Sequence, residues 1–254
     1  MIKEITSTKN QTYKYIKSLK TKKARKLNGQ FTVEGIKSVT DAINAGSNIA
    51  YIAVSDKLAD MPDFDTIYRI PDNIFAPLCD TDSPQGILAV INIPKKFDAN
   101  PTKPLYLYCD RVSDPGNLGT IIRICDAADC GLLLSDGCAD IYNPKTVRAS
   151  MGSFFHTDIT ENVSPADILR YKQQGYTFTA SALSGKTEDY STISGNKLII
   201  AVGNEANGIC DEVLSLADKC VKIPIWGRAE SLNVGVAAAL LLYEAKRNAS
   251  TENI

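Results

Sequence analysis

Leu105-Tyr106-Leu107-Tyr108-Cys109, followed by Asp114-Pro115-Gly116-Asn117-Leu118-Gly119-Thr120-Ile121-Ile122-Arg123, is the stretch whose reading decides the fold. The uncharged first run reads as a buried strand. The polar turn and the apolar spacing after it predict a helix over 117–128. The succession recurs where Leu198–Val202 runs into Gly203-Asn204-Glu205-Ala206-Asn207-Gly208, and again where Ile223-Pro224-Ile225 precedes Glu230-Ser231-Leu232-Asn233-Val234. In α/β folds the ends of strands are where binding groups gather. Three such segments point to one composite pocket.

Outward from these segments, strands are expected over 132–135, 176–180 and 221–225, and helices over 145–149, behind Asn143-Pro144, and over 167–173. Ser231 is expected to open a last helix that is apolar nearly all round, hence buried on more than one side. The proline-rich stretch 94–104 reads as a linker between domains at 1–96 and 103–254. Before it, helices at 10–20, 35–45 and a short one capped by Asp72 alternate with strands at 30–33, 48–54, 66–70 and 87–91, a pattern of a small α/β layered domain. His156, the single histidine, falls in a strand-like stretch and is given a packing or surface role.

Charge is unevenly placed. Residues 1–30 hold nine basic groups against the single acid Glu4, a net +8 in a chain of −1, so the remainder carries −9. A polyanion could bind that end although the protein as a whole is not basic. Seven cysteines without a CxxC pair speak against a disulfide scaffold or structural zinc, and no metal site is expected. The opening residues lack a secretory signal's apolar core, and no apolar run reaches the ~18 residues of a membrane span. A cytoplasmic protein is expected.

The Asp114–Arg123 turn is neither a dinucleotide fingerprint nor a P-loop. It offers a close backbone approach and Asn117, whose amide both donates and accepts. Glu205 is presented by a tight turn between Gly203 and Gly208, and Ser231 and Asn233 sit at a helix start with free N–H groups.

In this order the three segments resemble the SpoU/TrmH family of RNA ribose 2′-O-methyltransferases, of the SPOUT superfamily. The first half is similar to that family's substrate-binding domain through Phe31-Thr32-Val33-Glu34-Gly35 and Ser83-Pro84-Gln85-Gly86-Ile87-Leu88-Ala89-Val90, and Arg148-Ala149-Ser150-Met151-Gly152-Ser153 is similar to its stretch between the first and second motifs. Gly235 departs from the pattern, which has Ser or Ala there. The resemblance implies an α/β SPOUT domain with a deep trefoil knot, preceded by a small α/β domain like that of RNA-binding ribosomal proteins, and a homodimer joined by the last helix. It implies S-adenosylmethionine bound by Ala182, Leu183, Gly203, Asn204, Glu205, Ile223, Ile225, Ser231 and Leu232. Arg123, Asn117, Glu205, Ser231 and Asn233 would form the catalytic end, and Lys20, Lys22, Lys23, Arg25, Lys26 and Arg148 would bind RNA.

The implied reaction is attack of a ribose 2′-hydroxyl on a sulfonium methyl, aided mainly by alignment of the two substrates. The family mechanism gives proton removal to the arginine. A guanidinium with a pKa above about 12 is a poor base, so Arg123 is expected to bind the neighbouring phosphate and steady charge developing on the oxygen. Ribosomal RNA is the expected substrate. Transfer RNA, a base nitrogen as the methyl acceptor, and a non-catalytic RNA-binding factor are the alternatives.

Overall fold

The computed structural model describes residues 1–94, 101–182 and 185–251. Leu183 and linker residues 95–100 lie outside the described residues. Two compact units are present: Met1–Phe97 together with Asp140–His156, and Asp98–Ala139 together with Thr157–Ile254. Residues 140–156 thus group with the first unit, although a cut near the linker assigns them to the second half. Among the described residues no helix is long and apolar enough to cross a membrane.

The first unit contains β1 (Ile2–Glu4), α1 (Gln11–Ser18), α2 (Lys22–Asn28), β2 (Gln30–Glu34), α3 (Ile36–Asn44), β3 (Ile49–Ser55), β4 (Ile67–Ile70), α4 (Asp72–Phe75) and β5 (Ile87–Asn92). Its sheet has the order β1-β4-β3-β5-β2, parallel from β1 to β3 and antiparallel across β5. The period-2 alternation of strands divides the core in two. Ala53, Leu88 and Val90 pack with Tyr13, Ile16 and Leu19, the inward stripe of α1 and its end. Ile52, Val54, Ala89 and Ile91 pack with Val39 and Ala42 of α3 and with Val147 from the returning segment. Asp72 lies in the first turn of α4 rather than at its cap, which is Pro71.

Helix α2 was not legible as a helix, because its one buried side chain is an arginine. Arg25 is only 3% exposed. Its Nη1 donates to the carbonyls of Leu19 and Lys20, both at 2.8 Å, and its Nη2 meets Asp140 Oδ2 at 2.7 Å. This corrects its expected role: the guanidinium is consumed inside the unit and is not presented to RNA. Removing one partner of such a buried pair strands the other charge, so Arg25→Ala is expected to cost about 3 kcal/mol in a denaturant melt. Lys23→Ala, at an exposed site two residues away, should stay within about 0.5 kcal/mol.

The second unit contains β6 (Leu105–Cys109), α5 (Pro115–Ala127) and β7 (Gly131–Leu134). After α6 (Pro144–Ala149), which belongs to the first unit, come β8 (Ile159–Glu161), α7 (Pro165–Gln173), β9 (Thr177–Ser181), β10 (Glu188–Asp189), β11 (Leu198–Val202), α8 (Asp211–Leu214), β12 (Lys219–Lys222) and α9 (Val234–Thr251). The seven strands are parallel throughout, in the order β10-β12-β9-β11-β6-β7-β8. From β6 the chain moves outward to β7 and β8, then crosses to β9 and comes back to insert β11 beside β6. The reversal lies between β6 and β11, where open parallel sheets leave a crevice at their carboxyl ends. Tyr106, Tyr108, Phe178, Ile199 and Ala201 pack with Ile168 and Tyr171 of α7, and helices α5 and α9 pack against each other and onto β7 and β11.

Three local expectations are corrected. Strand β12 stops at Lys222, so Ile223 and Ile225 lie in the loop beyond it. Helix α9 begins at Val234 and is capped by Asn233 rather than opened by Ser231: the Asn233 carbonyl accepts from the Ala237 N–H, and its Oδ1 accepts from Gly235 and Val236 at 2.9 and 3.4 Å. His156 is exposed and follows a 3-10 turn, Ser153–Phe155, not a strand.

Candidate active site

Strand β6 ends at Cys109 and is followed by Asp110, a residue only 2% exposed. Its carboxylate accepts from Arg111 Nε at 3.1 Å, Arg111 Nη2 at 3.0 Å and the Cys210 backbone N–H at 2.7 Å. The loop after β6 is thereby bound to the far end of the turn after β11. Asn204 binds the near end, its Nδ2 donating to the Arg111 carbonyl at 2.9 Å while its Oδ1 accepts from the N–H groups of Ala206 and Asn207. The turn closes with paired backbone bonds between Asn204 and Gly208, at 3.0 and 2.9 Å. A Cβ on Gly203 would stand 2.1 Å from the Gly208 carbonyl carbon, so no larger residue fits.

This turn presents Glu205 to a polar chain formed from all three motif segments. Asp114 Oδ1 caps α5 by accepting the Asn117 backbone N–H at 2.8 Å. Asn117 Nδ2 donates to Glu205 Oε1 at 2.8 Å, and Asn233 Nδ2 donates to Asn117 Oδ1 at 2.9 Å. The start of α9 supplies only donors to Asn233, and a carboxylate oxygen accepts at the other end. Both amides are therefore oriented one way, and Glu205 is held from the side of α5. Gly235 adjoins the chain: a Cβ there would meet Thr120 Cγ2 at 3.1 Å and Asn233 Oδ1 at 3.2 Å, so its departure from the family pattern leaves room for both. Glycine costs a helix interior about 1 kcal/mol. Burial of Leu241 and Leu242 on the same helix, at roughly 2 kcal/mol each, outweighs it.

Beside the chain, at the carboxyl ends of the strands, is a cleft of about 450 Å³, within the range of small-molecule sites. Ala182, Gly203, Asn204 and Glu205 line it from the strand ends, and Ile223, Ile225, Ser231 and Leu232 from the segment between β12 and α9. Of the residues expected around a cofactor, these eight are brought together. Asn204 serves the turn with its side chain, leaving its backbone to the cleft. Leu214, Val234 and Ala237 also line the cleft; in sequence they are indistinguishable from helix core residues. Asp110 was missed too, its only signal being an acid at the end of an apolar run.

Arg123 is not joined to this chain. Six residues beyond Asn117, it lies about 9 Å further along α5 and on a different face; it is exposed and has no hydrogen-bond or ion-pair partner among the described residues. Burial pushes the Cys109 and Cys125 thiols well above their ordinary value, which marks them as core groups rather than nucleophiles. Among the described residues, no group of three or more His, Cys, Asp or Glu is placed to hold a metal.

In the first unit, Lys22, Lys23 and Lys26 of α2 are exposed. Lys20 is half-buried, donating to the Cys79 carbonyl at 2.6 Å and pairing with Asp80 at 3.1 Å. Arg148 pairs with Glu34 at 3.1 Å.

Fold and site define an α/β protein that takes a small ligand at the carboxyl ends of parallel strands, beside a fixed polar chain. Comparison with known proteins narrows this. The SpoU rRNA methylase family model matches residues 104–243, and that of the MRM3-like substrate binding domain matches residues 10–89. The 23S rRNA (guanosine(2553)-2′-O)-methyltransferase RlmP of Bacillus subtilis is 35% identical, over 96% of this chain and 100% of its own. Among solved structures, the AdoMet-bound rRNA methyltransferase of Sinorhizobium meliloti superposes with a TM-score of 0.86 at 31% identity, covering 97% of this chain and 98% of that one. The SpoU methyltransferase AviRb of Streptomyces viridochromogenes, in complex with AdoMet, gives 0.85 at 26% identity, covering 94% and 97%. The chain belongs to the SpoU rRNA methylase family.

Because Gly203 has backbone on the side where a Cβ would point, Gly203→Ala must displace the 203–208 turn. A loss of about 3 kcal/mol is expected in thermal or denaturant unfolding, with weakened cofactor binding by calorimetry in whatever fraction remains folded.

Proposed function

We propose that this protein transfers the methyl group of S-adenosylmethionine to a ribose 2′-hydroxyl of ribosomal RNA. The observation that carries this reading is the Asn233–Asn117–Glu205 chain at the edge of the 450 Å³ cleft, built from the residues that define the family's motifs. Support for ribosomal RNA comes from the family and from relatives named as rRNA methyltransferases that match both units.

The cleft fits the cofactor chemically. Ile223, Ile225 and Leu232 give apolar walls for an adenine ring, and the Gly203–Gly208 turn offers backbone groups to a ribose. When bound, S-adenosylmethionine supplies an electrophilic methyl on a sulfonium. The chain's own contribution is alignment and electrostatics. Glu205, held by Asn117, and Ser231, which has no hydrogen-bond partner among the described residues, are the polar groups that meet the substrates at the rim. Arg123 binds the phosphate next to the target ribose and steadies charge developing on its oxygen.

Arg123 does this across a homodimer in our reading. Its face of α5 differs from that of Asn117, and α9 leaves Val236, Leu240 and Tyr243 exposed at i, i+4 and i+7, an apolar stripe suited to a second copy. The same reading includes the trefoil knot and, with all seven cysteines unpaired, a reducing cytoplasm. Lys22, Lys23 and Lys26 contact RNA phosphates, which positions RNA without reading its sequence.

The test is transfer of labelled methyl from S-adenosylmethionine to unmodified ribosomal and transfer RNA. Alkali-resistant ribose-methylated dinucleotides from ribosomal RNA are expected, with turnover reduced about 100-fold or more in Arg123→Ala. Methyl on a base, or no cofactor binding, overturns the reading; no transfer to either free RNA despite cofactor binding assigns the substrate to a ribosomal particle, and the assay is then repeated on unmodified particles. Arg123→Lys keeps the charge but not the planar fork; turnover near that of the wild type would rule out two-pronged phosphate binding. Replacing Lys22, Lys23 and Lys26 together by Ala should flatten the slope of log affinity against log salt by about 2, at roughly 0.7–0.9 per lost contact.

A further inference from the structure

Trp226 is the single tryptophan of the chain and is 91% exposed. An indole offers roughly 150–250 Å² to a partner, and here almost none of it is covered. Its place in the fold is specific: it lies in the segment between β12 and α9, directly after Ile225 and four residues before Glu230, both of which line the cleft. Two residues on, Arg228 is exposed and has no hydrogen-bond or ion-pair partner among the described residues. An isolated aromatic with an unpaired cation differs from the continuous apolar stripe of Val236, Leu240 and Tyr243 on α9, which suits a second copy. It matches single-stranded RNA, whose unstacked bases lie on aromatic faces while their phosphates take an arginine.

We propose that Trp226 is a stacking platform for an unpaired nucleobase of the substrate RNA, with Arg228 holding an adjoining phosphate. The inference rests on the RNA methyl transfer proposed above and adds to it: the target is presented as a splayed, unpaired nucleotide, and base stacking on the indole contributes to its selection.

With only one indole in the chain, its emission reports this site alone. The full-length protein is titrated with an unmodified large-subunit ribosomal RNA transcript, and separately with S-adenosylmethionine. RNA should quench the emission saturably and shield it from acrylamide, whereas the cofactor alone should leave its accessibility unchanged. In methyl-transfer assays Trp226→Ala should raise KM for the RNA about tenfold with kcat and cofactor affinity within twofold of the wild type. Trp226→Phe, which keeps an aromatic face, should recover most of the loss. Emission unaltered by RNA in a protein that methylates it, or a KM unchanged in Trp226→Ala, overturns the proposal. So does a blue shift that follows protein concentration without RNA, which would assign the indole to a contact between copies. Absence of methyl transfer by the wild type, to free RNA and to particles alike, counts against the functional reading instead, and the RNA titration still decides whether the indole receives a base.

Discussion

The arrangement of the second unit depends on a buried carboxylate. Asp110 sits at the end of a central strand, in surroundings where an uncompensated charge would cost several kcal/mol. Its compensation comes from Arg111 and from the backbone N–H of Cys210, which lies beyond the turn that follows β11. Solvating that one group fixes two loops of the carboxyl edge against each other. Asn204 uses the same loop, through the Arg111 carbonyl, to close the turn that carries Glu205. A charge that never meets the ligand thus sets the shape of the wall that does.

On this wall the polar chain gains direction from its ends. A helix start has N–H groups to give and a carboxylate has oxygens that take, so the two asparagines between them each have one favourable orientation. The effect is to hold Glu205 at the rim by hydrogen bonding rather than by packing, which suits a group that must remain in contact with solvent and substrate. Gly235 serves the same end, since the space it leaves is taken by Thr120 and by the Asn233 oxygen that caps α9.

The first unit uses a related device for a different purpose. Arg25 joins two carbonyls at the end of α1 to Asp140, so a short helix without an apolar stripe and a segment more than 100 residues away in sequence are tied together by one buried cation. The neighbouring lysines on α2 remain in solvent. One basic run therefore contains both a structural cation and a charged surface, and composition alone cannot tell them apart.

The sequence by itself determined the α/β character of the second unit, the strand-end location of the site and the three segments that build it; that its strands all run parallel was decided by the folded chain. Uncharged runs such as Leu105–Cys109 and Leu198–Val202 have few alternatives to a buried strand, and Gly203 and Asn117 carry their local chemistry wherever they are placed. Short edge strands such as β1, β8 and β10 were not legible, because two or three residues hold no periodicity. Nor were the burial of Arg25, the role of Asp110, or the cap at Asn233 in place of Ser231. Each depends on which distant donor or acceptor reaches a group, and that is a property of the folded chain. The tertiary structure also decided that Asn117 and Arg123, six residues apart in one motif, do different work, since a helix turns one toward the Glu205 turn and leaves the other in solvent.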